Sequence, residues 1–369
     1  MKVLLINSVC GIRSTGRICT DIAQELSTEG HEVKIAYGRE NVPEKYQKLA
    51  VKIGSDIDQN LHCIRTRLLD EHGFGSKKAT GQFLKWADEF NPDVLWLHNL
   101  HGYYINVEML FVWIKSRPHM QVKWTLHDCW AFTGHCSYFI VVKCEQWKTH
   151  CSYCSQKKCY PSSLFKDNCK NNFDRKKATF TGVKNMTLIS PSQWLANLVK
   201  QSFLCEYLVE IHHNTIDTTV FKPTPSDIKK KYGIENKFVI LGVASGWDER
   251  KGFIDFIRLF DMLDERYAIV MVGLTKENLK ALPAGIIGIP HTDGIEELAM
   301  LYTAADVFFN PTYEDNYPTV NLEARACDTP IVTYNTGGSP ESAGKSAVIL
   351  EPGDLAGFLN YLRGREEND

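Results

Sequence analysis

Asp315 and Glu323 carry the clearest chemical signal in the sequence. Seven residues, Pro318 among them, separate the two in Pro311–Pro330, PTYEDNYPTVNLEARACDTP. Carboxylates are acceptors, and one carboxylate can take both O–H bonds of a vicinal diol, so sugar hydroxyls suit them. The apolar run Val307–Asn310 reads as a strand, Pro311–Tyr317 as a turn and Thr319–Ala326 as a helix. The exposed N–H groups of that helix's first turn favour an anionic ligand. The plainer alternative is that Asp315 caps the helix and Glu323 is a solvated side chain. Two further motifs weigh against it. Ala244–Gly252, ASGWDERKG, follows the apolar run FVILGVA and sets Arg250 and Lys251 after a small-residue turn. That layout can clamp a phosphate. Gly337-Gly338 follows IVTYN and lets a backbone approach a ligand closely.

All three motifs fall where a strand is expected to end, so the elements that carry them matter. Short apolar, β-rich runs alternate with amphipathic segments. Lys2–Asn7, Glu32–Tyr37, Asp93–His98, Val122–His127 and Met186–Ser190 read as strands, with helices over Arg17–Thr28 and Val107–Ser116. A second strand series runs Phe238–Ala244, Ala268–Val272, Ile286–Ile289, Val307–Asn310, Ile331–Tyr334 and Ala347–Leu350. Such alternation predicts an α/β protein with doubly wound parallel sheets. Two series in 369 residues predict two domains, 1–213 and 214–369, with the boundary among the turn residues of Asn214–Pro225. Cys129–Asn185 breaks the alternation. It is rich in Cys, Lys, Tyr and Trp, and reads as an insertion unable to bury a core of its own.

Composition narrows the function classes. With 44% hydrophobic and 23% charged residues the chain is an ordinary globular protein, and a net charge of −2 argues against an electrostatic nucleic-acid binder. The opening MKVLLINSVC has too short an apolar run for a signal peptide, and no run of membrane-spanning length follows. A cytoplasmic protein is expected, soluble or peripheral at the inner face of the plasma membrane. Twelve cysteines in a reducing compartment point to metal rather than disulfides.

On the residues quoted above, the chain resembles the retaining, nucleotide-sugar-dependent glycosyltransferases of the GT-B fold, family 4 (glycosyl transferases group 1), over nearly its whole length. PTYEDNYPTVNLEARACDTPIVTYNTGGSPE is similar to the family's Glu-x7-Glu region, with Asp315 at the first acidic position and Glu323 at the second. The resemblance implies two Rossmann-like domains facing a cleft, an N-terminal acceptor domain and a C-terminal donor domain. It implies that Asp315 contacts the donor sugar, that Glu323 binds the ribose hydroxyls and that Lys251 binds the diphosphate. Arg250, Asn316, Tyr317, Pro318 and Thr319 are then donor-site neighbours. The family's arginine five residues before the lysine is Gly246 here, and Arg250 is its expected replacement. Asn214-Thr215-Ile216-Asp217 is similar to the family's Asn-Gly-Ile-Asp linker.

In the N-terminal half, Gly11–Arg17, GIRSTGR, follows the first strand. Turn chemistry alone explains it. The resemblance makes it the family's glycine loop, with Gly16 beside the donor phosphates and Thr15 and Arg17 as its neighbours. His127 ends the strand VKWTLHD, where a lone histidine is more often structural. The resemblance places it on the transferred sugar. His127, Lys251 and Asp315 are then the catalytic set. His98 and His101 in LHNLHGYY, with Arg17, are assigned to the acceptor side. The implied reaction moves a sugar, from a UDP-sugar by preference, to a lipid-linked saccharide such as one on a polyprenyl diphosphate. The setting would be bacterial O-antigen, capsule or exopolysaccharide biosynthesis. No catalytic divalent metal is expected, because Lys251 and backbone dipoles supply the positive field. The competing readings are a non-transferring GT-B sugar-nucleotide epimerase and a zinc-ribbon nucleic-acid-binding protein. A nicotinamide dehydrogenase is disfavoured, because Gly11–Gly16 does not have the G-x-G-x-x-G spacing.

Cys136, Cys144, Cys151 and Cys154 form C-x7-C-x6-C-x2-C. The final pair has the knuckle spacing of structural zinc sites, and such a site would staple a segment lacking a core. The alternative is a set of buried thiols. Lys143–Lys184 holds ten Lys/Arg against three Asp/Glu, which is either a solvated face or a surface for an anionic bilayer or a lipid diphosphate. Trp130, Phe132, Tyr138, Phe139 and Trp147 are expected to lie at that interface.

Overall fold

The computed structural model describes residues 1–366. The chain divides into two compact units, Met1–His213 and Asn214–Asp369. The first holds a seven-stranded sheet: β1 (Lys2–Asn7), β2 (Glu32–Tyr37), β3 (Ala50–Lys52), β4 (Val94–Leu97), β5 (Gln121–Thr125), β6 (Met186–Ser190) and β7 (Val209–Ile211). Their order is β3-β2-β1-β4-β5-β6-β7, and every pairing is parallel. The second holds six: β8 (Phe238–Val243), β9 (Tyr267–Val272), β10 (Ile287–Ile289), β11 (Val307–Asn310), β12 (Ile331–Tyr334) and β13 (Val348–Leu350), in the order β10-β9-β8-β11-β12-β13 and again all parallel.

Parallel strands joined by crossover helices are covered on both faces, so they read as unbroken apolar runs. β9, YAIVMV, is buried at every residue, as are β11 and β12. Along β8, Val239, Leu241 and Val243 enter one core cluster while Ile240 enters the cluster on the other face. Both strand orders reverse direction at one place, β1/β4 in the first sheet and β8/β11 in the second. A crevice opens at the C-terminal ends of the strands at such a switch point. The loops after β1, β4, β8 and β11 hold most of the residues singled out from the sequence.

The segment after β5 has no core of its own and builds on that of the first sheet. Trp130, Phe132, Phe139, Trp147, Phe173 and Phe180 are buried in the same cluster as the strands of the first sheet. Its polar groups are also inside. Lys176, 1% exposed, donates from Nζ to the carbonyls of Trp130 (2.7 Å) and Thr133 (3.1 Å) and lies 3.6 Å over the Trp130 ring. Burial pulls its ammonium group down to about 7. Asp70, at the end of the helix Asp56–Leu69, pairs with His135 and accepts the Asn168 N–H at 2.8 Å, which ties the segment to that helix.

Trp130, Phe132, Phe139 and Trp147 are 4% exposed or less, so they are core residues and not the interfacial ones expected. The zinc expectation for Cys136, Cys144, Cys151 and Cys154 finds no support in this arrangement. Among the described residues no group of three or more His, Cys, Asp or Glu is placed to hold a metal ion. These thiols act as small apolar core groups: Cys136, Cys151 and Cys154 are at most 9% exposed, with Cys144 packed against them. Cys136 hydrogen-bonds to Cys154, which with burial pushes the Cys136 thiol up. Cys151 accepts the Gly134 N–H at 3.3 Å. No helix among the described residues is long and apolar enough to cross a membrane.

Candidate functional site

The loops after β8 and β11 meet in the second unit. Gly252, at φ +75°, comes so close to the loop after β11 that a Cβ there would lie 2.3 Å from the Pro311 carbonyl oxygen. The Tyr313 N–H donates to the Arg250 carbonyl (2.8 Å), and Arg250 Nη1 donates to the Glu314 carbonyl (2.7 Å). This stitching brings Lys251 Nζ onto Asp315 Oδ2 as a direct ion pair, each side chain 17% exposed. Burial raises the Asp315 carboxyl. The charges of Lys251 and Arg250, with hydrogen bonds from Lys251 and the Asn316 backbone, outweigh that and hold it below the usual range. Asp315 is therefore an anion beside two cations. It does not cap the following helix, whose N-cap is Pro318 with no side-chain cap bond. The Asn321 N–H turns back onto the Pro318 carbonyl at 3.3 Å, and the first-turn N–H groups ahead of it, on Thr319 and Val320, are left to a ligand or to water.

Glu323 sits within that helix and is 4% exposed. Its Oε2 accepts the Tyr302 hydroxyl at 3.0 Å. The reading of Glu323 as a solvated side chain is thus excluded. The helix is pinned by Asn321, which accepts from Asn310 Nδ2 (2.8 Å) and donates to Ser339 Oγ (3.0 Å) and Ser342 Oγ (2.9 Å). Gly337, at φ +57°, passes the same loop so closely that a Cβ would sit 2.0 Å from the Asp315 carbonyl oxygen. The Gly338 N–H donates to that oxygen at 3.0 Å. Asn316, Tyr317 and Pro318 are buried and Thr319 half-buried. Asn214 Nδ2 reaches the Tyr317 carbonyl at 3.2 Å. At Gly246 a Cβ would meet nothing within 4 Å, so the position of the missing arginine is open space.

In the first unit, Gly16 is buried and its carbonyl accepts the Gly11 N–H at 3.1 Å, which closes the loop after β1 onto the first turn of Arg13–Thr28. Arg17 is exposed beside it. His98 and His127 follow β4 and β5 and contact each other, Nδ1 to Nε2, at 3.0 Å. Burial, then the other imidazole, drives His98 well below its usual value. Burial carries His127 down to about 4, with Asp128 opposing and His101 assisting. His101 lies 2.8 Å from Asp128 Oδ2 and 3.0 Å from the Tyr160 hydroxyl. His98, His101, His127 and Asp128 line a cavity of about 10 Å³, room for about one water molecule.

The sequence reading did not anticipate Tyr302, the His98–His127 contact or the Asp128–His101 pair. A tyrosine in Ile295–Ala304 looks like any core residue, and contacts between strand ends have no local signal. Asp56-Ile57-Asp58 has the Asp-x-Asp spacing of a metal motif. The fold uses it to start a helix: Asp58 forms a capping box with Ser55, and Asp56 pairs with Lys52 at 2.7 Å.

Residues 236–364 match the family described as Glycosyl transferases group 1. The second unit carries a glycosyl transferases group 1 domain. The chain is 32% identical over 170 residues to WcaC of Escherichia coli (strain K12), which is named as a glycosyl transferase of colanic acid biosynthesis. That alignment covers 44% of this chain and 41% of WcaC, and the chain spans less than half the length of the curated relatives it matches. Among solved structures, sucrose-phosphate synthase from Thermosynechococcus elongatus superposes with a TM-score of 0.71 at 14% identity, over 98% of this chain and 88% of that one. Anabaena HepE, solved in complex with UDP-glucose, superposes with a TM-score of 0.65 at 15% identity, over 100% of this chain and 90% of that one. The fold is GT-B: the group 1 domain and the preceding unit are both of its parallel α/β type.

Proposed function

We propose that the chain is a retaining glycosyltransferase that moves a sugar from a nucleotide-sugar, by preference a UDP-sugar, to a lipid-linked saccharide in bacterial surface polysaccharide assembly. The observation that carries this reading is the Lys251–Asp315 pair, set with buried Glu323 at the C-terminal ends of β8 and β11 inside the group 1 domain. The UDP-glucose bound to HepE and the colanic acid assignment of WcaC support it.

In this reading Glu323, oriented by Tyr302, accepts the ribose hydroxyls. Lys251 meets the charge that builds on the diphosphate as the bond to the anomeric carbon breaks. Asp315 positions the sugar, and Arg250 with the Asn316–Thr319 backbone completes the donor cradle. The leaving phosphate takes the proton of the acceptor hydroxyl on the face it departs from, so the configuration is retained. Gly16 and His127 are assigned to the phosphates and the transferred sugar, and Arg17, His98 and His101 to the acceptor.

A thermal-shift panel of UDP, GDP, ADP and their sugars identifies the donor, and NMR of the product reads the anomeric configuration. Glu323→Ala and Lys251→Ala are each expected to lower turnover by at least about 100-fold, with melting still cooperative. Wild-type turnover in either variant removes this site from the account.

A further inference from the structure

Asp255 is a carboxylate set into an apolar layer. It lies in the first turn of the helix Phe253–Phe260 and is 2% exposed. Phe253 and Phe256 on the same helix and Tyr334 on β12 belong to one buried apolar cluster. A carboxylate is costly to bury without hydrogen bonds. An acid at the third position of a helix ordinarily reaches back to the N–H of the N-cap residue. Here that N–H, on Gly252, donates to the Glu249 carbonyl at 3.1 Å. Asp255 accepts from two tyrosines instead. The Tyr334 hydroxyl donates to its Oδ2 at 3.0 Å, and the Tyr313 hydroxyl bonds to the same carboxylate. Burial first, then the Asp255 carboxylate, pushes Tyr313 up to about 12 and raises Tyr334 as well, so both hydroxyls keep their protons and donate. The two rings meet edge to face, 5.4 Å between centroids.

These bonds join three strand ends that carry the candidate site. Asp255 is four residues after Lys251, whose N–H is anchored on Asp248 Oδ1 at 2.9 Å. Tyr313 is two residues before Asp315, and its own N–H donates to the Arg250 carbonyl at 2.8 Å. Tyr334 ends β12, three residues before Gly337, which packs against the Asp315 carbonyl. Lys251 and Asp315 therefore sit on two loops that share Asp255 as an anchor. A shift of about 1 Å in such a constellation costs up to about 100-fold in rate.

We propose that Asp255 is a positioning residue of the donor site: through Tyr313 and Tyr334 it sets the spacing between Lys251 and Asp315. Enclosed and spent on the tyrosines, it does not itself meet the donor. Its role rests on Lys251 and Asp315 being donor-site groups.

A double-mutant cycle tests this, read by calorimetric binding of whichever of UDP, GDP and ADP raises the melting temperature most. Asp255→Asn keeps the shape of the side chain and turns one acceptor into a donor. It is expected to weaken nucleotide binding by at least about 10-fold in the wild-type chain and by less than about 2-fold in a Lys251→Ala chain, where the contact it positions is already gone. Tyr313→Phe keeps both the ring and Asp255 and is expected to follow the same pattern, and it carries the test if Asp255→Asn does not fold. Melting is followed in every variant. A residue that merely holds the helix in place would weaken binding by the same factor in both backgrounds. That result, or wild-type affinity in folded Asp255→Asn and Tyr313→Phe, overturns the proposal and leaves the donor site standing. If none of the three nucleotides binds the wild-type chain, the donor site itself fails and the role of Asp255 falls with it.

Discussion

Lys251 and Asp315 are 64 residues apart in sequence and form one ion pair in the fold. Their types and local motifs were legible in the sequence, but the pairing was not, because nothing local records which strand ends become neighbours. The same holds for Tyr302 behind Glu323. The pair makes a specific claim about pH. Asp315 is held below the usual carboxylate range by Lys251 and Arg250 against the cost of its burial, so it stays ionised throughout the neutral range. Asp315→Asn should therefore lower transfer by about 100-fold or more, uniformly from mildly acidic to mildly alkaline pH. An acid limb present in the wild-type profile and absent from the variant would show instead that Asp315 titrates during turnover.

The strands were the most legible elements. Lys2–Asn7, Glu32–Tyr37, Met186–Ser190, Val307–Asn310 and Ile331–Tyr334 appear with the bounds expected of them, because both-face burial writes a parallel strand as an apolar run. β3 and β7 were missed because each is a three-residue edge strand with no such run. The segment after β5 was misread for a different reason. Composition counts all its lysines and cysteines as surface or ligand residues, whereas Lys176, Cys136, Cys151 and Cys154 are inside and the other lysines stay at the surface. The turns that carry the candidate site have their own constraint. Gly337 is in the left-handed region and against the Asp315 carbonyl, so Gly337→Ala adds backbone strain and a steric conflict. The left-handed conformation alone costs about 1–2 kcal/mol for an alanine. A loss of at least about 2 kcal/mol in denaturant unfolding, with weaker nucleotide binding, is expected. An unchanged midpoint and affinity would mean that the turn yields and does not hold Asp315 in place.

At the scale of the whole molecule, the first unit stores several buried imidazoles in their neutral form. Burial lowers His62 and His127 to about 4 and drives His72 and His98 well below the usual value. The unfolded chain takes up these protons near pH 6.5, while the folded chain resists them until about pH 4, so the unfolded state binds more protons between those limits. Stability is therefore complete above about pH 6.5 with respect to these groups and declines as the pH falls towards 4. Lys176, lowered to about 7, has its own decline at higher pH, between about 10.5 and 7, and adds no slope below that. The depressed Asp315 adds its loss only below about pH 3.8, so it does not overlap the histidine window. Melting temperature should thus drop on going from pH 7 to pH 5. The drop should shrink in His127→Asn, which removes one of the groups while keeping a hydrogen-bonding side chain beside His98. A melting temperature that is flat across that range would mean that these imidazoles are hydrated enough to titrate normally, and that the packing after β4 and β5 is looser than the contacts described.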